Sequence, residues 1–225
     1  MKDDGVTMEP HAAPGLADPP SDRTRRLSAR QRWLKRSLDL VVAALTLVLL
    51  GWLILLGAAV SALAHGGSGF FVQRRVGQNG RHFPLLKLRT MRAGPSGATT
   101  VTTALDPRIT RAGRVLRRTK LDELPQFVNV LLGHMSLVGP RPDVPGFADR
   151  LTGPDRVVLS VRPGITGPAT LAYRHEEALL ATQEDPERYN REVIYPDKVR
   201  LNREYIENYS LRNDLVLLWR TLVGS

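Results

Sequence analysis

The sequence contains no cysteine, so disulfide bonds and metal sites built on thiolates are excluded. Aromatic residues make up only 6% of the chain, and the arginine-rich segments lack the interleaved aromatics on which nucleic-acid bases stack. Acidic residues are outnumbered, since 22 Asp and Glu stand against 32 Lys and Arg, for a net charge of +10. This excess predicts an anionic partner: an anionic lipid, a phosphorylated substrate or, ranked last because aromatics are scarce, a nucleic acid.

Residues 1–32 are rich in Pro, Gly, Ala and charge and have few large apolar side chains. Such a segment buries too little apolar surface to fold, so we expect a disordered tail. After it we expect a membrane helix in residues 33–66 and a cytoplasmic domain in residues 67–225.

Residues 38–64 form an apolar run of 27 residues whose only charge is Asp39, and this is long enough to enter a bilayer. Basic residues flank the run on both sides, which under the positive-inside rule places both ends in the cytoplasm. We therefore predict a re-entrant helix that turns near Gly51 or Gly57, where glycine tolerates a departure from helical geometry. A straight signal-anchor helix is the alternative.

Residues 119–142 organise the rest of the chain. Asp122 and Glu123 stand before a helical pattern in which four apolar residues recur at i, i+3, i+4 and i+7: Leu124, Phe127, Val128 and Leu131. Gly133 is a plausible stop, and Pro125 fits the first turn. Asp122 is predicted to cap this helix, whose positive end favours the ionised carboxylate by about 0.3–1 kcal/mol. By itself the Asp-Glu pair fits a plain helix cap as well as a reaction centre.

Two extended segments in residues 70–88 surround Asn79-Gly80, a strong hairpin signal. Lys87 and Arg89 share one side of the second segment and are predicted to converge on a phosphate. Residues 91–103 are small and Gly-rich, which predicts a mobile loop over the site.

Further helices are predicted in residues 106–120, 173–182, 194–207 and 211–223. The first has an apolar face and a basic face, and the basic face suits phosphates or anionic headgroups: Arg108, Arg111, Arg114, Arg117 and Arg118. In the last, a stripe of large side chains is predicted to pack on the core: Leu215, Leu218, Trp219 and Leu222. The expected fold is α+β, mainly helical, with a β-hairpin and amphipathic helices at the membrane surface.

Six ordered motifs resemble those of the bacterial sugar transferases, which are monotopic polyprenyl-phosphate phosphoglycosyl transferases. They are Lys35-Arg36 with Asp39, Lys87-Leu88-Arg89-Thr90-Met91, Asp106-Pro107-Arg108, Leu121-Asp122-Glu123-Leu124-Pro125-Gln126, Met135-Ser136-Leu137-Val138-Gly139-Pro140-Arg141-Pro142 and Arg162-Pro163-Gly164-Ile165-Thr166-Gly167. Together they cover nearly everything beyond the tail.

The resemblance implies that sugar-1-phosphate passes from a UDP-sugar to a polyprenyl phosphate at the cytoplasmic face of the bacterial inner membrane, as the first step of surface-glycan assembly. It implies Asp122 as the nucleophile, Glu123 as its partner at a Mg²⁺ ion that both hold, and seven substrate-binding residues: Lys87, Arg89, Arg118, Pro140, Arg141, Pro142 and Arg162. Asn202 stands where some relatives have an aspartate near the metal. Membrane lipid is a further expected partner, nucleic acid is not, and a homodimer is left open. The alternative is a non-catalytic, membrane-tethered scaffold that binds anionic lipid.

Overall fold

The computed structural model describes residues 27–93, 102–103 and 106–224. Its longer helices are α1 (Ala29–His65), α2 (Arg111–Arg118), α3 (Gln126–Leu131), α7 (Tyr195–Glu207) and α8 (Leu211–Val223). Shorter helices are α4 (Pro168–Ala172), α5 (Glu176–Ala181) and α6 (Pro186–Tyr189). The strands are β1 (Phe70–Val76), β2 (His82–Leu88), β3 (Ser136–Val138) and β4 (Gly164–Thr166). The predicted α+β, mainly helical class is confirmed.

Helix α1 is the longest element, and at about 1.5 Å per residue its 37 residues extend about 55 Å. It begins four residues before the predicted boundary, because Ser28 and Gln31 form a reciprocal capping box. The remainder of the predicted tail, residues 1–26, lies outside the described residues. The helix continues through Gly51 and Gly57, so the structure does not show the break predicted there.

One face of α1 packs on the rest of the molecule along most of its length. Ala43 joins a cluster with Phe83, Leu85, Val130 and Met135, and Ile54 and Ala58 join Leu88 and Leu116. The opposite face exposes a row of large apolar side chains: Leu45, Val48, Leu49, Trp52, Leu55, Leu56, Val60 and Leu63. The helix is long and apolar enough to cross a membrane. The helix therefore has one face packed on the domain along most of its length and one apolar face exposed.

Asp39 fastens the start of α1 to strand β3. The side chain is 2% exposed, and its Oδ1 accepts hydrogen bonds from Ser136 Oγ at 3.0 Å and from Leu137 N at 2.9 Å. The nearby Lys35 donates to Asp214 Oδ2 of α8 at 2.6 Å. The helix is therefore joined by buried polar contacts to β3 and to the last helix.

The predicted hairpin is confirmed. Strands β1 and β2 pair in antiparallel register from Phe70 opposite Leu88 to Val76 opposite His82. Asn79 and Gly80 both have positive φ, at 58° and 76°, which is the conformation that an Asn-Gly pair adopts readily. Because the hairpin packs on α1, it carries Lys87 to the edge of the cavity described below.

Strands β3 and β4 form a short parallel pair that positions residues 140–142. The backbones approach so closely that a Cβ on Gly164 would lie 2.2 Å from Gly139 N. Gly139 N donates to Thr166 O and Gly164 N donates to Pro140 O, at 2.9 and 2.8 Å. Glycine is thus required at both positions to hold the start of the Pro-Arg-Pro loop against strand β4.

Two predicted helices differ in detail. Helix α2 begins at Arg111, capped by Thr110, because the carboxylate of Asp106 instead binds Arg108. The predicted apolar face of helix α3 is confirmed in part: Leu124 and Phe127 pack on core clusters, but Leu131 is exposed. The helix also buries Gln126, Asn129 and Val130, and Asn129 accepts a hydrogen bond from Leu86 N and donates one to Pro84 O.

Helices α7 and α8 confirm the predictions for residues 194–207 and 211–223, and α5 confirms a short helix within residues 173–182. The α8 stripe is not core, however. Leu215, Trp219 and Leu222 are 51%, 65% and 82% exposed, while Leu218 alone of the four packs partly on the core. Such an apolar face is typical of a helix that lies on a membrane surface.

Candidate active site

A cavity of about 660 Å³ opens beside the Asp122-Glu123 pair. Cationic side chains line it from β2, α2, the following turn, the Pro-Arg-Pro loop and α7: Lys87, Arg114, Arg117, Arg118, Lys120, Arg141 and Lys198. The carboxylates in its wall are Asp122, Glu123, Asp143, Glu176 and Glu177. The remaining wall comes from α4 and α7 and includes Thr170, Tyr195 and Asn202. A cavity of this size with so many cations suits a multiply charged anion.

The carboxylate pair lies in a 3-10 turn, Leu121–Glu123, between α2 and α3. Lys120 has a positive φ of 57°, so the chain turns sharply as α2 ends. Leu121 and Leu124 pack toward the cluster around Ile54, which leaves the two acids between them on the cavity side. The prediction that Asp122 caps a helix is therefore wrong, since α3 begins four residues later, at Gln126.

Asp122 is a buried carboxylate that is incompletely bonded. It is 7% exposed, and its Oδ1 has no hydrogen-bond partner. Burial, followed by the charge of Glu123, raises the pKa of Asp122 to about 6, although Lys87 and Arg117 oppose the shift. The expected stabilisation of the ionised form by a helix end is thus outweighed by desolvation. At neutral pH the group is still mostly ionised but poorly solvated, which suits a nucleophile.

Glu123 has the opposite electrostatic environment. It forms an ion pair with Arg141, and Lys87 Nζ lies 3.6 Å from its Oε1. Although burial raises the pKa of Glu123, the charges of Arg141 and Lys87 outweigh it and hold that pKa well below its ordinary value. Burial in turn lowers the pKa of Lys87 to about 8, against the opposing charge of Glu123. Two adjacent acids therefore have strongly separated pKa values, as expected when they perform different tasks.

The structure brings together five of the predicted site residues: Lys87, Arg118, Asp122, Glu123 and Arg141. Pro140 and Pro142 flank Arg141, and the carbonyl oxygen of Pro142 accepts a 3.0 Å hydrogen bond from Arg75, which fixes the loop.

Arg89 and Arg162, which are also predicted to bind substrate, do not line this cavity. Strand β2 ends at Leu88, so the alternation that placed Arg89 beside Lys87 no longer holds at that residue. Arg162 donates through Nε to the carbonyl oxygen of Gly133 at 2.8 Å and lines a second cavity.

The acidic pair is the candidate position for a metal ion. Among the residues that the structure describes, no group of three or more His, Asp or Glu could hold a metal. Mg²⁺, however, is commonly bound through one or two carboxylates with the remaining ligands from substrate phosphates and water. Asp122 Oδ1 has no partner, and Asn202, 7% exposed in the same cavity wall, also has an unpartnered Oδ1. Both oxygens are of the kind that Mg²⁺ takes as ligands, and neither is used by another described group.

Sequence reasoning missed Asp143, Thr170, Tyr195 and Lys198 as cavity residues. Asp143 directly follows the Pro-Arg-Pro motif, which was a usable signal, and burial raises its pKa to about 6. The other three come from α4 and α7, far along the chain, and no local pattern marked them. The hydroxyl oxygens of Thr170 and Tyr195 are buried without hydrogen-bond partners.

The model of one protein family, described as bacterial sugar transferase, matches residues 30–224. The exopolysaccharide production protein ExoY of Sinorhizobium fredii is 35% identical over 204 residues, covering 84% of this chain and 83% of that protein.

Two further relatives are UDP-glucose:undecaprenyl-phosphate glucose-1-phosphate transferases. The one from Caulobacter vibrioides is 38% identical over 192 residues, covering 84% of this chain and 68% of that protein. The one from Escherichia coli K12 is 35% identical over 201 residues, covering 87% of this chain but 41% of that protein. Since the family match takes in the carboxylate pair, the cationic cavity and the long apolar helix, the chain belongs to the bacterial sugar transferase family.

Proposed function

We propose that this protein transfers sugar-1-phosphate from a UDP-sugar to a polyprenyl phosphate, giving UMP and a polyprenyl-diphospho-sugar. The observation that carries the proposal is Asp122, a buried carboxylate with an unpartnered oxygen in a cavity lined by many cationic side chains of Lys and Arg. The relatives named as undecaprenyl-phosphate sugar transferases support the same reaction class.

In the first step, an Asp122 oxygen attacks the phosphorus that bears the sugar. The bond from that phosphorus to the UMP oxygen breaks, and UMP leaves with the electron pair. Asp122 then holds the sugar phosphate as a mixed anhydride. In the second step, an oxygen of the polyprenyl phosphate attacks the same phosphorus and releases the Asp122 carboxylate. Dividing the displacement in two lets one cavity serve two substrates in turn.

The other cavity residues prepare these steps. Arg141 is fixed by Glu123 on one side and by a loop that Arg75 anchors, so its guanidinium is preorganised beside the nucleophile. Lys87, Arg117 and Lys120 place positive charge near Asp122 and the diphosphate. Mg²⁺ held by Asp122 and Glu123, when bound, would neutralise diphosphate charge. The cationic neighbours of Glu123 keep its carboxylate ionised at any physiological pH, so it would be available as a ligand to Mg²⁺.

The membrane arrangement follows from the exposed faces of α1 and α8. Both present large apolar side chains outward, Trp52 and Trp219 among them. Basic residues on both flanks of the apolar run support a location of the domain at the cytoplasmic face of the inner membrane. There a lipid-linked acceptor reaches the cavity without leaving the bilayer. By this proposal the product is the first lipid-linked sugar of an exopolysaccharide or a related surface glycan.

The test is UMP release from a panel of UDP-sugars with polyprenyl phosphate and Mg²⁺ in membrane preparations. Asp122→Asn is expected to abolish release, while Glu187→Gln, an exposed acid on α6, keeps it. Incubation with a sugar-labelled donor and no acceptor, followed by acid quench, should leave label on the wild-type protein only. Full activity of Asp122→Asn in cells would instead support a non-catalytic scaffold.

A further inference from the structure

A second cavity, of about 740 Å³, lies at the beginning of α1, apart from the proposed active site. Residues from α1, from the hairpin turn and from the 3-10 segment Gly153–Ser160 line it. Four arginines stand in its wall: Arg32, Arg36, Arg156 and Arg162. None of the reactions proposed above uses this cavity.

Few acidic side chains neutralise the positive charge of these arginines. None of the four forms an ion pair with a carboxylate of the described residues, and the one acid in the wall is Asp39, whose Oδ1 serves Ser136 and Leu137. Lys35, also in the wall, is already paired with Asp214. Arg36 and Arg162 both lie against Gly133: Arg162 Nε donates to Gly133 O at 2.8 Å, and a Cβ on Gly133 would lie 3.6 Å from Arg36 Nη2. Burial and then the charge of Arg162 lower the pKa of Arg36.

Each arginine is held by a backbone carbonyl oxygen and keeps donors free. Both terminal nitrogens of Arg36 donate hydrogen bonds to carbonyl oxygens at the C-terminal end of α3, at 2.7 and 3.0 Å. Arg162 Nε donates to Gly133 O. One terminal nitrogen of Arg156 donates to Leu151 O, and one of Arg32 donates to Leu27 O. Since a guanidinium has five N–H donors, these last three retain several that no described group accepts. The arrangement is a set of prepositioned donors for a phosphate.

The cavity opens beside the start of the apolar run of α1. The apolar run begins at residue 38, within two turns of Arg32, and the neighbouring Trp33 is 70% exposed, as is typical of tryptophan at a membrane interface. The wall also carries apolar side chains that suit the glycerol and upper acyl region of a lipid: Leu27, Val157, Leu159 and Val161. Free phosphate would leave that part of the cavity unused.

We propose that this second cavity binds the phosphate of one anionic phospholipid headgroup, gripped by Arg32, Arg156 and Arg162, and thereby fixes the start of α1 at the membrane surface. The bound lipid phosphate joins α1 to the segment Gly153–Ser160. Without it, the arginines of these two elements repel each other. This site does not depend on the proposed transfer reaction.

The test uses the full chain in a neutral detergent, with dihexanoyl phosphatidylglycerol as the probe and thermal unfolding as the readout. A saturating lipid should raise Tm by about 5–10 °C. Arg32→Gln/Arg156→Gln should weaken apparent affinity at least about tenfold, since charge-assisted hydrogen bonds are lost. Both side chains are exposed, so the variant should fold. Arg162→Gln should weaken binding likewise, and Arg191→Gln, an exposed arginine elsewhere, should not.

Three results would overturn the proposal. One is an equal Tm shift in the double variant and the wild type. Another is an equal shift with dihexanoyl phosphatidylcholine or with inorganic phosphate, which would show that an anionic lipid is not selected. The third is a raised KM for polyprenyl phosphate in the double variant with an unchanged phosphatidylglycerol shift, which would assign the cavity to the acceptor. Because the thermal readout needs no turnover, loss of the proposed function would leave this test intact.

Discussion

The buried pair between Lys35 and Asp214 offers a sharp test of how α1 is held to the domain. The two side chains are 11% and 2% exposed and meet at 2.6 Å. Replacing Lys35 by Met keeps an unbranched side chain of similar length but leaves the carboxylate buried without its cation. Removing one partner of a buried pair costs about 3–5 kcal/mol, since the remaining charge is uncompensated.

The hydrogen bonds around Asp214 place the expected cost at the lower end of that range. The hydroxyl groups of Tyr205 and Tyr209 also donate to the carboxylate, at 2.6 and 3.3 Å, and both remain in the variant. We therefore expect a loss of about 3 kcal/mol, which for a protein of this size lowers Tm by about 6–12 °C. The double variant Lys35→Met/Asp214→Asn removes the charge but keeps an acceptor for the tyrosines, so it should recover most of the loss.

The assay is thermal unfolding of the full chain in detergent, followed by circular dichroism at one fixed scan rate. Arg30→Met is the matched control, because Arg30 is an exposed cation near the same end of α1. A decrease of less than about 2 °C in Lys35→Met would refute the reasoning. So would a double variant that is no more stable than the single one, because the cost would then not come from an unpaired charge.

Three further predictions follow from close contacts and buried charges. Arg141→Met removes the main partner of Glu123, so we expect the pKa of that acid to rise. The rate of UMP release, measured at saturating donor, should fall at least about 100-fold, which corresponds to about 3 kcal/mol of lost transition-state stabilisation. A Cβ at Gly113 would lie 2.0 Å from a backbone carbonyl oxygen, whereas one at Gly51 meets nothing within 4 Å. Gly113→Ala should therefore lower Tm, and Gly51→Ala, which gains about 0.5–1 kcal/mol of helix propensity, should raise it. The pKa of Asp143 is about 6 in the folded protein and 3.8 in a free chain, so the folded state binds more protons between these values and stability falls as pH rises through them. Asp143→Asn should remove that slope and stabilise the protein by about 2–3 kcal/mol above pH 6, and a wild-type pH profile that matches the variant's from pH 4 to 8 would contradict this.

The sequence correctly predicted those helices and turns that are determined by interactions between residues close together in the chain. The hairpin followed from Asn79-Gly80, and α7 and α8 followed from their apolar spacing. The motif stretch around Asp122 and Arg141 likewise pointed to residues that share one cavity wall.

The errors arose where tertiary contacts outweigh local preference. The start of α2 shifted because Asp106 binds Arg108, and the buried face of α3 extends to Asn129 because Asn129 bonds the backbone of β2. Arg162 lies away from the cavity beside Asp122 because it donates to the carbonyl oxygen of Gly133 and lines the second cavity. Apolar periodicity also does not distinguish a helix face on the core from one on lipid, which is why the exposure of Trp219 was not foreseen.

By the proposed function, the buried contact between Asp39 and β3 would link the seating of α1 in a bilayer to the chemistry. Strand β3 ends at Val138, so Ser136 and Leu137, which donate to Asp39 of α1, lie only a few residues from the arginine beside Asp122. With α1 seated in a bilayer, a change in its depth or tilt would pull on that strand and displace the Arg141 guanidinium. The bilayer would then be part of the scaffold that aligns the proposed active site, and extraction into a poorly matched detergent is expected to cost activity well before it unfolds the domain.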